Sequence, residues 1–350
     1  TGWEYGGSTY TGSYTVPDFG NNGATVTFTA QWSIESYRIN YDAGEGSVSP
    51  TYDDVSYGNR ITLPTPTRTG YTFNGWRYNS TNYTGSYTVP DFGDNGATVT
   101  FTAQWTKERY TINYNADGGN VSPSSQTVNF GDSITLPTPT KAGYTFTGWR
   151  YNNSTITDMD YIVPDFGNNG ASVTFIAQWT ADKYTITFDE VGGSEVSDIV
   201  DYTIESTISF PSTTKAGYDF VNWQVTRADG NWTNGASFNA NTTTTDKYGN
   251  VTLTAQWDYH TYTVTLNPNG GEVSPTSIRV TYQSTYGSLP TPTRDGYVFK
   301  GWYTSATSGT QILSTTRYTS TQDTTIFAQW QETWANHASD TLTEQDGYYL

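Results

Sequence analysis

The sequence predicts a mainly β chain laid out as a linear tandem array of small domains, and three observations carry that expectation. Residues that favour strands and turns dominate, with 29 Tyr, 12 Trp and 34 Gly among 350 residues, while the helix formers Leu, Ala, Glu and Lys are sparse. The segment from Ser13 to Trp32 recurs almost letter for letter from Ser86 to Trp105, with Asn21 replaced by Asp94. The triplet Ala-Gln-Trp closes at Trp32, Trp105, Trp179, Trp257 and Trp330, at intervals of 73, 74, 78 and 73 residues, each the size of one small domain.

Each repeat opens on a strand. Tyr37/Ile39/Tyr41, Tyr110/Ile112/Tyr114, Tyr184/Ile186/Phe188 and Tyr262/Val264/Leu266 alternate with polar residues, which puts the large apolar groups on one face. Gly-rich turns follow, such as Asp117-Gly118-Gly119 and Asn269-Gly270-Gly271, where positive φ costs glycine little and the chain reverses. Next comes a proline connector. Pro137 and Pro139 exclude a helix interior and deny donors to a central strand, which leaves room for at most one short helix per repeat. In the last third, a strand around Tyr87-Thr88-Val89 is expected to pair with Val99–Trp105 across Asn95-Gly96, a dipeptide favoured in hairpins.

A second tryptophan series, Trp3, Trp76, Trp149, Trp223 and Trp302, precedes each closing Trp by 28 to 34 residues. Burying an indole recovers a few kcal/mol, about 2 to 3, and a core of some seventy residues depends on such contributions. All ten tryptophans of the two series are therefore assigned to cores. The boundaries become a partial repeat at 1–32, complete repeats at 33–105, 106–179, 180–257 and 258–330, and a tail at 331–350. The joints between closing Trp and opening Tyr are four residues long, SIES, TKER, TADK and DYHT, without Gly or Pro. Such joints hold neighbours in similar orientations and predict a rod rather than loose beads.

The order Tyr-x-Ile-x-Tyr, Gly-Gly, Leu-Pro-x-Pro-Thr-(Lys/Arg)-x-Gly-Tyr-x-Phe-x-Gly-Trp and Thr-x-x-Ala-Gln-Trp resembles the internalin B-repeat, or Listeria-Bacteroides repeat, over Gly2 to Trp330. The resemblance implies a β-grasp-like domain used in tandem as a stalk or adhesion module of bacterial surface proteins. Two features depart from that pattern. The units ending at Trp32, Trp105 and Trp179 carry a longer VPDFGNNGATVTF-type arm. The unit ending at Trp257 has Phe210-Pro211-Ser212-Thr213 as its connector and Asn222 where the other units have Gly.

The chemistry of the chain points away from catalysis. A net charge of −17 without a basic cluster repels nucleic acid. Zero Cys removes disulfides and thiolate metal sites. His260 and His337 do not recur and have no motif around them, so no enzyme is expected. No cofactor is expected either. Asp91–Gly96 fails the EF-hand pattern at Gly93 and Thr102, which leaves only adventitious calcium at acidic loops. The recurring basic residues Arg68, Lys141, Lys215 and Arg294 are read as solvated side chains beside a turn. Trp232, with Asn231 and Asn234, lies outside the repeat frame and is the candidate ligand loop for a cell-wall or host-surface glycan or protein.

No apolar run approaches the roughly 20 residues needed to span a bilayer, so no membrane insertion is expected within this segment. The opening half of the first unit is absent. It either belongs to upstream sequence or is supplied by another chain, which would give head-to-tail self-association by strand addition. The expected function is that of a non-enzymatic stalk or spacer of an extracellular, bacterial cell-surface protein, with glycan or host-protein binding and filament formation as the alternatives.

Overall fold

The computed structural model describes residues 1–333, and every regular element among them is a β-strand. The helix that the sequence allowed in each repeat is absent from the described residues. Trp334, His337 and the remainder of the tail lie outside them. The chain divides into two compact units, Thr1–Lys141 with Phe146–Trp179, and Ala142–Thr145 with the chain from Thr180 onward.

Repeat 1 shows how the sequence makes the fold. Its opening strand, Ser36–Asp42, buries Tyr37, Ile39 and Tyr41 and exposes the polar residues between them. A reversal through Gly44 leads to the antiparallel second strand, Tyr52–Ser56. The proline connector crosses to the tryptophan strand, Tyr71–Tyr78, which folds back as the return strand, Thr81–Tyr83. The closing strand, Thr98–Lys107, fills the centre of the sheet. It runs parallel to the opening strand, with Phe101 opposite Tyr41, and antiparallel to the tryptophan strand, with Ala103 opposite Trp76. The sheet order is therefore second, opening, closing, tryptophan, return.

The same order recurs in repeats 2, 3 and 4. The closing strand has neighbours on both sides, and its alternation of Val99, Phe101 and Ala103 places the inward set against the opening strand's aromatics. Each repeat has its own core, around Trp76, Trp149, Trp223 and Trp302.

The expected Tyr87–Trp105 hairpin does not form. Ser86–Thr88 pairs instead with Arg60–Thr62 in a separate two-stranded ribbon. Asn95-Gly96 docks on the start of the opening strand: Asn95 Oδ1 accepts from Ser36 N at 2.8 Å, and Gly96 N donates to Ser36 O at 2.8 Å. The dipeptide favours a tight turn in either setting, and a non-local parallel partner outcompeted the local one.

Two members of the tryptophan series, Trp3 and Trp32, belong to the partial repeat and are exposed within it. Trp3 is 54% and Trp32 87% exposed, because the three-stranded sheet of Gly2–Tyr5, Ser8–Tyr10 and Thr29–Gln31 has no opening strand or connector to cover them. Their counterparts in repeat 1, Trp76 at 0% and the half-buried Trp105, are covered by those elements.

Candidate functional site

The features that recur around each core tryptophan are structural, and their geometry explains the motif residues. The inner indole N–H donates to the connector: Trp76 to Pro64 O at 2.8 Å, Trp149 to Pro137 O at 2.9 Å, Trp223 to Pro211 O at 2.7 Å and Trp302 to Pro290 O at 2.8 Å. The half-buried closing tryptophans donate to the Gly turn, with Trp105 bonded to Ala43 O at 3.2 Å and Trp179 to Ala116 O at 3.0 Å. Two ring donors thus pin the connector and the turn, neither of which has a ladder of its own.

Close approach explains the turn glycines that positive φ does not. A Cβ on Gly46, Gly119, Gly193 or Gly271 would lie 2.6 to 2.9 Å from the ring of the closing Trp of the same repeat. Gly75, Gly148 and Gly301 precede the inner Trp at φ of 127°, 147° and 142°. The ladder shifts register at this point in repeats 1 and 4. In repeat 3 the shift persists with Asn222 in place of glycine, and the Oδ1 of Asn222 is buried without a hydrogen-bond partner.

The basic residues before Gly-Tyr are packed rather than solvated. Lys141 Nζ donates to Asp117 O at 3.1 Å, Lys215 Nζ to Val191 O at 2.8 Å and Arg294 Nη1 to Asn269 O at 3.2 Å. The Arg68 and Arg294 guanidinium groups sit 3.8 Å over the rings of Tyr71 and Tyr297. Each cation closes the Gly turn against an aromatic ring. The recurrence of a basic residue at a fixed distance from Gly-Tyr was the available signal.

Two of the four joints, TKER and DYHT, are strand apart from one residue each, whereas residues 33–35 of the first lie outside any strand. Lys107 ends one strand and Arg109 begins the next, and Glu108 between them is held from both sides: its N–H donates to Gly70 O at 2.9 Å and its C=O accepts from Phe130 N at 2.9 Å. His260 repeats the arrangement, donating to Gly217 O at 2.9 Å and accepting from Tyr282 N at 2.8 Å. Gly70 and Gly217 belong to one repeat, Phe130 and Tyr282 to the next. The rings of Phe130 and Tyr282 rest on those glycines, at centroid distances of 5.8 Å from Tyr71 and 5.6 Å from Tyr218.

The candidate ligand loop is not open. Trp232 is 6% exposed, donates its Nε1–H to the Tyr202 hydroxyl at 2.8 Å and packs edge-on against Phe238. Its ring completes the repeat 3 core and offers no platform. Asn231 is spent locally, with Nδ2 on Asp246 O at 2.8 Å and Oδ1 accepting from Tyr248 N at 3.0 Å. Asn234 stays exposed in the adjoining turn.

The polar groups elsewhere serve the fold. Asp91 Oδ1 accepts from Gly93 N at 2.7 Å and from the Tyr37 hydroxyl at 3.2 Å, which makes an Asx turn of the Asp91–Gly96 segment. The Tyr37 hydroxyl also donates to Glu35, and this bond, followed by burial, holds its pKa well above the ordinary phenol value. Burial first, then bonds to Glu108 and Asp165, does the same to Tyr110. No group of three or more His, Asp or Glu side chains able to hold a metal ion occurs among the described residues. His260 Nδ1 lies 2.7 Å from Asp219 Oδ1 at the surface of the joint. Beside it a groove of about 630 Å³ is lined by Lys215, Tyr218, Phe220, Trp257, His260 and Tyr262. No helix among the described residues is long and apolar enough to cross a membrane.

The chain is 30% identical over 322 residues to a protein of Evansella cellulosilytica provisionally named a Gly-rich membrane protein; the match covers 87% of this chain and 35% of the relative. A second provisionally named membrane protein of that organism is 32% identical over 320 residues, covering 87% of this chain and 45% of the relative. Internalin H of Listeria monocytogenes is 32% identical over 181 residues, or 51% of this chain and 29% of that protein. The chain thus spans less than half the length of the curated relatives it matches. Among solved structures, the TIE protein of Bacillus anthracis aligns with a TM-score of 0.24 and 9% identity, covering 85% of this chain and 51% of the other. The profile of the Listeria-Bacteroides repeat domain matches residues 37–104, 110–178, 184–256 and 262–329, each beginning on an opening tyrosine, and the chain belongs to that family.

Proposed function

We propose that this chain is a non-enzymatic spacer segment of a bacterial surface protein, setting distance and orientation between elements outside it. The observation that carries the reading is the joint: Glu108 and His260 each bond through N–H to one repeat and through C=O to the next, which leaves no free linker within a pair. The names of the relatives, two membrane proteins and an internalin, support a surface location. The sheet order, with opening and closing strands parallel at its centre, supports a β-grasp-like description of each repeat without the helix. Nitrogen-15 relaxation on the intact chain tests the joints. Repeats 1 and 2 should share one rotational correlation time, as should repeats 3 and 4, and independent tumbling within a pair would sink the spacer reading.

A binding role is the second reading, favoured by the groove beside His260, where aromatic rings and Lys215 stand together as saccharides require. A glycan array read with the chain and with Phe220→Ala separates the two, since signal independent of Phe220 removes the groove from consideration. Head-to-tail strand addition between chains is a third reading; it predicts self-association, and a sedimentation coefficient that does not change with concentration excludes it.

A further inference from the structure

Three tyrosines converge where repeat 3 passes into repeat 4. Tyr218 and Tyr259 stand directly opposite each other at the end of the antiparallel ladder between the tryptophan strand, Tyr218–Ala228, and the closing strand, Val251–Tyr259. Side chains so placed have Cβ atoms about 4.5–5.5 Å apart. Their ring centroids lie 5.0 Å apart with the planes tilted by 31°, little more than the centre-to-centre spacing of two directly bonded rings. Tyr282, from repeat 4, sits 5.6 Å from Tyr218 and 6.5 Å from Tyr259. Tyr218 holds its proton above the ordinary phenol value, through burial first and then through the phenols of Tyr259 and Tyr282, so the hydroxyl ends converge along with the rings.

The cluster belongs to this joint and not to the repeat pattern. At the position of Tyr259 the TKER joint has Lys107, opposite Tyr71, and the TADK joint has Ala181. In those two joints the position of Tyr282 holds Phe130 and Ile204. The fold is thus made elsewhere without a phenol at either place. Other close tyrosine pairs bury one ring in a core, as Tyr87 beside Tyr83, Tyr202 beside Tyr184 and Tyr318 beside Tyr262. Tyr259 is 52% exposed, and Tyr218 is half-buried. The chain has no Cys and a single Met, so no thiol intercepts an oxidant before the aromatic rings do.

We propose that Tyr218 and Tyr259 form a site of oxidative cross-linking, joined as a dityrosine by a peroxidase-class one-electron oxidant that draws on hydrogen peroxide. Each phenol gives up one electron and one proton. The two phenoxyl radicals couple between the carbons ortho to their oxygens, and the hydrogens on those carbons move to the oxygens to restore both aromatic rings. The pair loses two hydrogen atoms in all, and these reduce one hydrogen peroxide to two waters. The new carbon–carbon bond ties the tryptophan strand to the closing strand one residue before His260, whose N–H donates to Gly217 O, and so fixes the repeat 3 side of the joint.

The test treats the intact chain with peroxidase and limiting hydrogen peroxide, then reads dityrosine fluorescence and a peptide mass map. At about 10 μM chain, a partner held at an effective concentration on the order of 1 mM predicts that coupling within the chain exceeds coupling between chains roughly 100-fold. The map should show the peptides carrying Tyr218 and Tyr259 joined, two hydrogens lighter than their sum, with fragmentation placing the link at those residues. Tyr259→Phe should remove that species, whereas Tyr282→Phe should leave it in place. A link from Tyr218 to Tyr282 instead, cross-linking between chains alone, or oxidised tryptophan without joined tyrosine peptides would overturn the proposal.

Discussion

The indole N–H of Trp76 donates to the carbonyl oxygen of Pro64, twelve residues earlier, at 2.8 Å. The connector has no ladder partner at that carbonyl, so one buried ring both fills the core and satisfies the segment that crosses it. Trp76→Phe keeps most of the apolar contact and orphans the carbonyl. We expect a loss of about 1–3 kcal/mol, against about 3–5 kcal/mol for Trp76→Ala, read from urea midpoints at constant m-value.

Gly271 and Gly270 are adjacent but differ in what they forbid. A Cβ on Gly271 would meet the Trp330 ring at 2.7 Å, whereas Gly270, at φ +91°, faces only the Arg294 side chain. Gly271→Ala should cost roughly 1–3 kcal/mol by overpacking and alter Trp330 fluorescence. Gly270→Ala should cost about 1 kcal/mol of backbone strain and leave that fluorescence unchanged. The same emission change in both variants would refute the distinction.

Gly70→Ala places a methyl group inside the Phe130 ring of the next repeat, at a φ of +71°. Phe130 also packs against the repeat 2 core, so the variant should loosen the joint between repeats 1 and 2 and weaken repeat 2 with it. Hydrogen exchange at the Glu108 amide, bonded to Gly70 O, is the reporter and should accelerate at least ~10-fold, the effect of losing about 1.4 kcal/mol of local protection. Unchanged protection would show that the joint is held by something else.

Burial is the leading cause that pushes Tyr87 and Tyr114 up to about 12. Their folded pKa lies above the ordinary value of 10, so the folded state holds these protons more tightly than the unfolded chain. That contribution is complete below pH 10 and disappears as pH rises from 10 through about 12. Urea midpoints should therefore fall across that interval. Phenolate absorbance should rise in two phases, exposed tyrosines first and the buried set with unfolding.

Trp232→Ala should lower the stability of repeat 3 by about 3–5 kcal/mol, in keeping with a large ring removed from a core. Tyr202→Phe, which removes the acceptor at 2.8 Å from Trp232 Nε1, should cost about 1–3 kcal/mol. Calorimetry of the two variants checks both values, and an unchanged transition in Trp232→Ala would return that ring to the surface.

Local pattern made much of this structure legible. Alternation revealed the opening strands, proline marked the connector, and the spacing of Trp76, Trp149, Trp223 and Trp302 marked the four cores. What failed depends on distant partners. Asn95-Gly96 favours a turn, yet nothing near it says that Ser36, some sixty residues earlier, receives it. Trp232 looked free because it broke the repeat frame, and the partner that buries it, Tyr202, lies thirty residues away. A side chain lying over a ring is spelled the same as one in water, so the lysine and arginine contacts leave no local sign in the sequence.

The parallel pairing of opening and closing strands governs how a repeat responds to force. The chain enters at the start of one strand and leaves from the far end of its neighbour, as at Ser36 and Lys107. Pulling those ends apart slides the strands along each other and loads their rungs together, whereas a hairpin opened from its free ends loses rungs one at a time. Single-molecule extension should show an abrupt, high-force step for each complete repeat, and a gradual low-force opening would contradict the geometry. Traction along the chain then meets its stiffest response in the strands that the Ala-Gln-Trp and Tyr-x-Ile-x-Tyr signatures mark.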